Sequence, residues 1–329
     1  MDWTQHKNGN IPTKHENELR ILSIDGGGMK GVLPVVYLRR IEQQLGEPIY
    51  KYFDLITGTS TGGIIALGLT AGLSASEISD LYIKEGKRIF FKNKFSNSFL
   101  SAKYTNKQLL SLLKETFGDI KIEDALTMLC IPSIEHHKAE PKVYKTPHHR
   151  DYILDGKRYM WEVALATSAA PTFFPAAEIG EGECKIDGGL WANNPSLVGI
   201  TEGQKLGFPL NQIKVFSLGT GDSIYNVNNE IAKKSGFLSW KTNIIELAFQ
   251  VQSKSATYIS NYLIGGNLCR ISPTLGRPLK LDSTKSEDID FMINEANQLY
   301  EKTFIKEDVR GKFFEANSFS DTILAKKSV

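Results

Sequence analysis

Apolar runs and helical patterns alternate over the first part of the chain. Leu19–Ile24 is a mostly apolar run, typical of a buried strand, and it ends at Asp25 and three glycines. Over Gly31–Leu45 the apolar residues recur at helical spacing. Phe53–Thr57 predicts a second short strand, and Thr61–Ala71 predicts a helix of small and apolar residues. Because strands and helices alternate, the pattern predicts a mostly parallel sheet with helices packed against it.

The rest of the chain continues this alternation without an internal repeat. Further strands are predicted at Cys130–Ile134, Pro141–Lys145, Cys184–Asp187 and Ile213–Leu218. Further helices are predicted at Ser76–Phe90, Lys107–Phe117, Arg158–Ser168, Ser196–Leu206, Leu238–Tyr262 and Ser286–Glu307. We expect a flexible lead-in over 1–18, a catalytic α/β domain over 19–224, and a helical C-terminal extension over 225–329 packed on the same domain.

Composition and charge narrow the class of protein. The 329 residues are 41% hydrophobic, and charges of both signs are interspersed, as in an ordinary globular protein. A net charge of +2 is too small to favour binding of a nucleic acid polymer. No apolar segment reaches membrane-spanning length, and the first residues lack the apolar core of a signal peptide. The three cysteines favour neither a disulfide framework nor a zinc site, and they agree with a cytoplasmic location.

The strongest candidate for chemistry is the segment 58–62, Gly-Thr-Ser-Thr-Gly, which matches the G-x-S-x-G pattern. It lies between a predicted strand and a predicted helix, the context of a nucleophile elbow. On that strained turn, side chains at Gly58 and Gly62 would collide with neighbouring backbone. The turn also places Ser60 at a helix N-terminus, where a developing negative charge is stabilised. The alternative is a tightly packed turn in which Ser60 only caps the helix.

A glycine-rich turn, Asp-Gly-Gly-Gly-Met-Lys-Gly at 25–31, follows the first predicted strand. Free N–H groups in such a turn can point at an anion, which in an acyl hydrolase is the tetrahedral oxyanion. The glycines also satisfy the G-x-G-x-x-G dinucleotide fingerprint, but the second strand with an acidic end is missing, because Tyr37–Leu45 is helical. A nucleotide-binding oxidoreductase and a turn without a ligand therefore stay as alternatives.

Two later segments are, on their own, only weak signals of function. The strand Cys184–Ile186 leads to Asp187 and a glycine turn, and Asp-Gly is common in turns. Residues 166–175, Ala-Thr-Ser-Ala-Ala-Pro-Thr-Phe-Phe-Pro, are a helix end of small residues suited to close packing.

Taken together, these motifs resemble the patatin-like phospholipases. D-G-G-G-x-x-G, G-x-S-x-G, A-T-S-A-A-P-x-x-F and D-G-G follow one another in that family's order, and the resemblance covers about residues 19–222. It implies a three-layer α/β/α sandwich that hydrolyses acyl esters of phospholipids and lysophospholipids without calcium or another cofactor. Ser60 is then the nucleophile and Asp187 its base. The oxyanion hole is expected from the backbone N–H groups of Gly26, Gly27 and Gly28.

The implied dyad has a physical rationale. Burial beside the serine would raise the pKa of Asp187 and make it a better proton acceptor. No histidine follows Asp187, so the hydrolase order Ser…Asp…His is excluded. We expect both histidine pairs to be exposed, one in a hairpin turn and one in a polar loop: His136, His137, His148 and His149.

Residues 87–104 interleave basic and aromatic side chains, a pattern that suits a phospholipid membrane surface. The basic residues are Lys87, Arg88, Lys92, Lys94 and Lys103. The aromatic residues are Phe90, Phe91, Phe95, Phe99 and Tyr104. The alternative is the end of a core-packing helix followed by a solvated loop.

The segment Lys145–His149 and the chain length are similar to bacterial members of the family. Some of these are anti-phage effectors that a cyclic nucleotide activates to degrade membrane. The resemblance thus implies a cyclic nucleotide activator and a peripheral position at the inner membrane, with a homodimer left open. A non-phospholipid carboxyl esterase and a non-catalytic lipid-binding module stay as alternative functions.

Overall fold

The computed structural model describes Trp3 and residues 13–90, 101–180, 182–223, 243–304 and 309–315. Most of the predicted lead-in and the first residues of the predicted helix Leu238–Tyr262 lie outside these ranges.

Eight strands form the main sheet in the described part of the chain. In sequence order they are β1 (Leu19–Ile24), β2 (Leu55–Gly58), β3 (Met128–Glu135), β4 (Glu140–Lys145), β5 (Ala177–Ile179), β6 (Glu183–Asp187), β7 (Ile213–Leu218) and β9 (Leu268–Ile271). The short strand β8 (Asp222–Ser223) lies between β7 and β9 in the sequence and is not part of this sheet. The order in the sheet is β5-β6-β3-β2-β1-β7-β9, and β4 pairs with β3. The pairs among β3, β2, β1, β7 and β9 are parallel, whereas β4 and β6 run antiparallel to β3. The prediction of a mostly parallel sheet is confirmed.

Helices cover both faces of this sheet. They are α1 (Val32–Leu45), α2 (Thr61–Thr70), α3 (Ala75–Ile89), α4 (Lys107–Phe117), α5 (Met160–Ser168), α6 (Gly189–Ala192), α7 (Ser196–Lys205), α8 (Asn243–Ile264), α9 (Ser286–Thr303) and α10 (Val309–Phe313). Successive residues of β1 and β2 point to opposite faces of the sheet and so pack into two different cores. Leu22 and Ile56 pack with α1, α3, α5 and α9, whereas Ile21 and Leu55 pack with α7. The predicted three-layer α/β/α sandwich is therefore confirmed.

The C-terminal third contributes more than the predicted helices. After α8, strand β9 pairs in parallel with β7 and extends the main sheet. A second short strand, β10 (Thr274–Leu275), pairs with β8. Helix α9 then packs on α1, where the Tyr37 and Thr303 hydroxyls are hydrogen-bonded at 2.7 Å. The short strands β5 and β9 were not predicted, because each is too short for its hydrophobic pattern to stand out.

Candidate active site

Ser60 occupies a strained turn between β2 and α2. Its backbone has φ 55° and ψ −122°, a conformation that side-chain-bearing residues rarely adopt. The turn lies at the carboxyl end of β2, next to the glycine-rich turn at the carboxyl end of the parallel neighbour β1. Ser60 therefore lies on a strained turn between a strand and a helix.

The two glycines of the elbow lie against backbone, as the sequence predicted. A Cβ atom at Gly58 would be 2.1 Å from the Gly62 carbonyl oxygen. A Cβ atom at Gly62 would be 2.2 Å from the Ile24 carbonyl oxygen. A side chain at either position would therefore push β1, β2 and α2 apart.

The side chain of Ser60 makes no capping hydrogen bond to helix α2, so the alternative that Ser60 only caps this helix is excluded. Its N–H donates instead to the Thr167 hydroxyl at 3.0 Å, and that hydroxyl donates to the Pro132 carbonyl at 2.5 Å. Thr167 belongs to the small-residue stretch on α5, so this stretch holds the elbow from the side.

Asp187 ends β6 and reaches the elbow because of the strand register. It lies opposite Ser133 of β3, three residues beyond Cys130, which lies opposite Thr57 of β2. The carboxylate is therefore displaced past the end of β2, toward Ser60. This position depends on the antiparallel pairing of β6, which the strand pattern alone did not predict.

The Asp187 carboxyl is fully buried and only half satisfied. Oδ1 accepts the Gly189 N–H at 2.7 Å, whereas the buried Oδ2 has no hydrogen-bond partner of normal geometry among the described residues. Burial raises the pKa of Asp187 to about 7, and the Ser60 hydroxyl and the Gly189 N–H limit the rise because they favour the carboxylate. A carboxyl with this pKa can exchange a proton near neutral pH.

The glycine-rich turn offers fewer free donors than expected. The Gly26 N–H donates to the Asn193 carbonyl at 2.9 Å, so it is not available to an oxyanion in this conformation. The N–H groups of Gly27 and Gly28 have no protein acceptor within the described ranges. Gly28 has φ 56°, and a Cβ atom on it would lie 2.3 Å from the Leu281 carbonyl oxygen. The expectation of three donors is thus reduced to two.

Gly26 has a different part in the site, because it lies against the serine. A Cβ atom on it would be 3.2 Å from the Ser60 Cβ and 2.4 Å from Asn193 Oδ1. Its carbonyl accepts the Thr220 hydroxyl at 2.8 Å. The glycine turn is therefore fixed directly beside the elbow.

The residues that hold the glycine turn come from late in the chain, and sequence reasoning missed them. Arg270 of β9 makes a two-pronged ion pair with Asp25, with distances of 2.6 and 2.5 Å. Ser253 of α8 donates to Asp25 Oδ2 at 3.2 Å and accepts the Asn193 side-chain N–H at 2.8 Å. Burial raises the pKa of Asp25, and the adjacent Arg270 opposes that rise. No local motif marks these residues, because Asp25 lies more than 200 positions before them in the chain.

A cavity opens beside Ser60. Its walls are mainly apolar, with Ile64, Leu109, Phe173, Phe174, Phe249 and Leu281 among them. Gly28 lines the same space, which places the glycine turn and the serine at one end of it. The shape and chemistry suit an acyl chain whose ester group lies at Ser60.

The histidines in the described ranges do not line this cavity. His136 and His137 are exposed in the turn between β3 and β4, as predicted. The prediction of exposure is wrong for His148, which is 1% exposed. Its ring nitrogens contact the Thr146 hydroxyl at 2.6 Å and Glu202 of α7 at 3.0 Å, and these polar partners make its burial favourable.

One group of side chains in the described ranges has the spacing of metal ligands. The ligand atoms of Cys130, His148 and Glu202 lie within 4.8 Å of one another. Lys145, however, forms an ion pair with Glu202, and both His148 nitrogens are engaged. This buried group is therefore satisfied as a hydrogen-bond network.

The basic and aromatic segment 87–104 is described only at its flanks. Phe90 and Tyr104 pack together on the wall of the aromatic cluster beside the cavity, with ring centroids 5.4 Å apart. Arg88 pairs with Glu115, and Lys103 pairs with Asp282. The central residues of the segment 87–104 lie outside the described ranges and include Phe91, Lys92, Lys94, Phe95 and Phe99.

In the described ranges, none of the helices combines the length and the apolar character needed to cross a bilayer.

Comparison with known proteins agrees with the geometry. The family model described as "Patatin-like phospholipase" matches residues 22–198. A "cGAMP-activated phospholipase" of Pseudomonas aeruginosa is 33% identical over 267 residues, which cover 79% of this chain and 78% of the relative. A protein of the same name from Vibrio cholerae is 30% identical over 342 residues, with 91% and 95% coverage. "Patatin-like protein 2" of Arabidopsis thaliana is 34% identical over 275 residues, with 70% and 67% coverage.

Proposed function

The chain belongs to the patatin-like phospholipase family and is a lipid acyl-ester hydrolase, and from this premise we propose that Ser60 is its nucleophile and Asp187 its base. The observation that carries the proposal is the buried Asp187 carboxyl, with one oxygen unpartnered and a pKa raised to about 7 next to Ser60. The adjacent apolar cavity supports a lipid acyl chain as the substrate part that is bound.

The proposed reaction runs through an acyl-enzyme. Ser60 Oγ attacks the ester carbonyl carbon and its proton passes to the Asp187 carboxylate, while the N–H groups of Gly27 and Gly28 stabilise the oxyanion. The intermediate collapses, the bond to the alcohol oxygen breaks, and Asp187 returns the proton to the leaving alcohol. Water then attacks the acyl-Ser60 ester with Asp187 again as base, which releases the fatty acid and restores the serine.

We also propose that a cyclic nucleotide activates the enzyme at a phospholipid membrane surface. The support is the name of the bacterial relatives, which are described as cGAMP-activated. The corresponding biological role is degradation of the cell's own membrane in anti-phage defence, with the protein peripheral to the inner membrane.

The test is fatty-acid release from mixed phospholipid vesicles with calcium chelated, with and without cGAMP. We expect release by the wild type and a loss of about a thousandfold or more in Ser60→Ala and in Asp187→Asn. His137→Ala and His149→Ala are matched controls that keep the activity, since both side chains lie outside the cavity. Release that persists in Asp187→Asn but disappears in a histidine variant would refute the dyad.

The nucleotide arm of this experiment is read separately. Hydrolysis that rises with cGAMP supports the proposed activation. Full hydrolysis without any nucleotide would overturn the activation and leave the phospholipase assignment intact. No release from vesicles by folded wild type, together with cleavage of soluble esters, would instead favour a non-phospholipid carboxyl esterase.

A further inference from the structure

A second cleft, of about 400 Å³, lies between α8 and β9 and shares no lining residue with the catalytic cavity. Most of its lining residues have polar side chains, among them Asp222, Lys254, Thr257, Tyr258, Asn261 and Arg270. The proposed catalytic reaction uses none of these side chains. A cleft of this volume lies within the range of small-molecule binding sites.

The exposed groups of this cleft match the parts of a nucleotide. The Tyr258 ring is 66% exposed and offers a flat surface on which a base can stack. Lys254 is exposed and has no ion-pair partner among the residues described, so its ammonium is available to a phosphate. Asn261 and Asp222 can bond to the polar edge of a base. Ser272 Oγ, which is buried in the cleft wall, lacks a partner among the described residues.

Two residues that line the cleft also contact Asp25, which directly precedes the glycine turn of the candidate active site. Arg270 lines the cleft and holds Asp25, the residue directly before Gly26. Ser253 also lines the cleft and contacts both Asp25 and Asn193. Asn193 in turn accepts the Gly26 N–H at 2.9 Å. A ligand that engages Arg270 or Ser253 would therefore act on the backbone that carries the expected oxyanion donors.

We propose that this cleft is the site of the activating cyclic nucleotide, with Lys254 on a phosphate and Tyr258 under a base. The inference rests on the proposed activation and adds its location and its route to the catalytic centre. Binding changes the contacts of Arg270 and Ser253 with Asp25, and the glycine turn beside Ser60 responds. The coupling is short: one ion pair and one hydroxyl separate the cleft from the turn.

The first test measures the Kd of cGAMP by calorimetry on the full chain, a readout that does not require hydrolysis. Lys254→Ala and Tyr258→Ala are each expected to weaken binding about tenfold, the size of a lost phosphate contact or base stack. Val251→Ala, exposed on the same helix but outside the cleft, and Lys138→Ala, on the distant β3–β4 turn, are matched controls that keep the wild-type Kd.

The outcomes separate this inference from the proposed function. Wild-type binding that both cleft variants retain would overturn the cleft as the site while leaving activation standing. A wild type that binds neither cGAMP nor cyclic di-GMP, cyclic di-AMP or a cyclic trinucleotide, yet hydrolyses vesicles, would overturn the cleft and the activation together but not the phospholipase. Equal binding of ATP and cGAMP would also overturn it, since the site would then be a general anion site.

The second test addresses the proposed coupling between the cleft and the glycine turn. Ser253→Ala removes the hydroxyl between Asp25 and Asn193, so we expect the ratio of stimulated to basal hydrolysis at saturating cGAMP to fall about tenfold. Ser253→Thr, which keeps a hydroxyl, is the matched variant and should restore most of the ratio. An unchanged ratio in Ser253→Ala would overturn the proposed transmission.

Discussion

At the scale of single residues, the account depends on the ionisation of Asp187. An aspartate with its usual pKa is a weak base toward a serine hydroxyl. Burial removes water from the carboxyl and leaves only the Gly189 N–H on one oxygen, which raises the pKa to about 7. In the proposed reaction, the carboxyl that accepts the proton from Ser60 can therefore return it to the leaving alcohol at neutral pH.

This ionisation predicts the pH dependence of hydrolysis. The active form is the carboxylate, whose population grows as pH rises through the raised pKa of about 7. The kcat/KM for a neutral aryl ester should thus increase about tenfold per pH unit below about pH 6 and level off above about pH 8. The control is His149→Ala, which should leave the profile unchanged. An activity that is flat down to pH 5 would contradict the assignment of Asp187 as base.

Among the secondary-structure elements, the motifs predicted the strands and helices around the candidate site but not the contacts that hold it. The strands before the elbow and the glycine turn, and the helices after them, were predictable because each has a strong local pattern. The occupied N–H of Gly26 was not, because its acceptor, Asn193, lies in a turn without a motif. The burial of His148 was missed for the same reason, since its partner Glu202 is on a different element.

Thr167 of helix α5 makes one of the contacts that hold the turn at Ser60, and this contact can be tested by substitution. Thr167→Val keeps the shape of the side chain but leaves the Ser60 N–H and the Pro132 carbonyl without a partner. We expect the free energy of unfolding to fall by about 2 kcal/mol or more, and kcat for an aryl ester to fall about tenfold. Thr167→Ser keeps the hydroxyl and should retain most of both. Wild-type kcat and stability in Thr167→Val would show that the elbow does not need this contact.

At the scale of the whole molecule, the C-terminal third is part of the fold that holds the active site. Its strand β9 extends the sheet beside β7, and Arg270 on that strand fixes Asp25. Phe313 lies in the core against Phe53 and Phe216, with ring centroids 6.2 and 5.4 Å away. We expected from the sequence a helical extension packed on the same domain, but these long-range pairs have no signature in the local sequence.

Removal of this third is therefore expected to abolish folding of the remainder. A chain of residues 19–224 would expose the core around α1, including Tyr37, and leave the Arg20 guanidinium without the Phe313 carbonyl, now at 3.1 Å. We expect no cooperative thermal transition and strong binding of a hydrophobic dye, compared with the full chain. A truncated chain that melts cooperatively and hydrolyses aryl esters would contradict this.

The central claim is that the Ser60 hydroxyl, activated by Asp187, attacks the acyl ester. The most direct measurement is reaction of the intact protein with a fluorophosphonate, in which the Ser60 oxygen bonds to phosphorus and fluoride leaves, followed by peptide mapping by mass spectrometry. We expect one label, on Ser60, with a rate of labelling at least about a hundredfold lower in Asp187→Asn. A label on another residue, or an undiminished rate in Asp187→Asn, would contradict it.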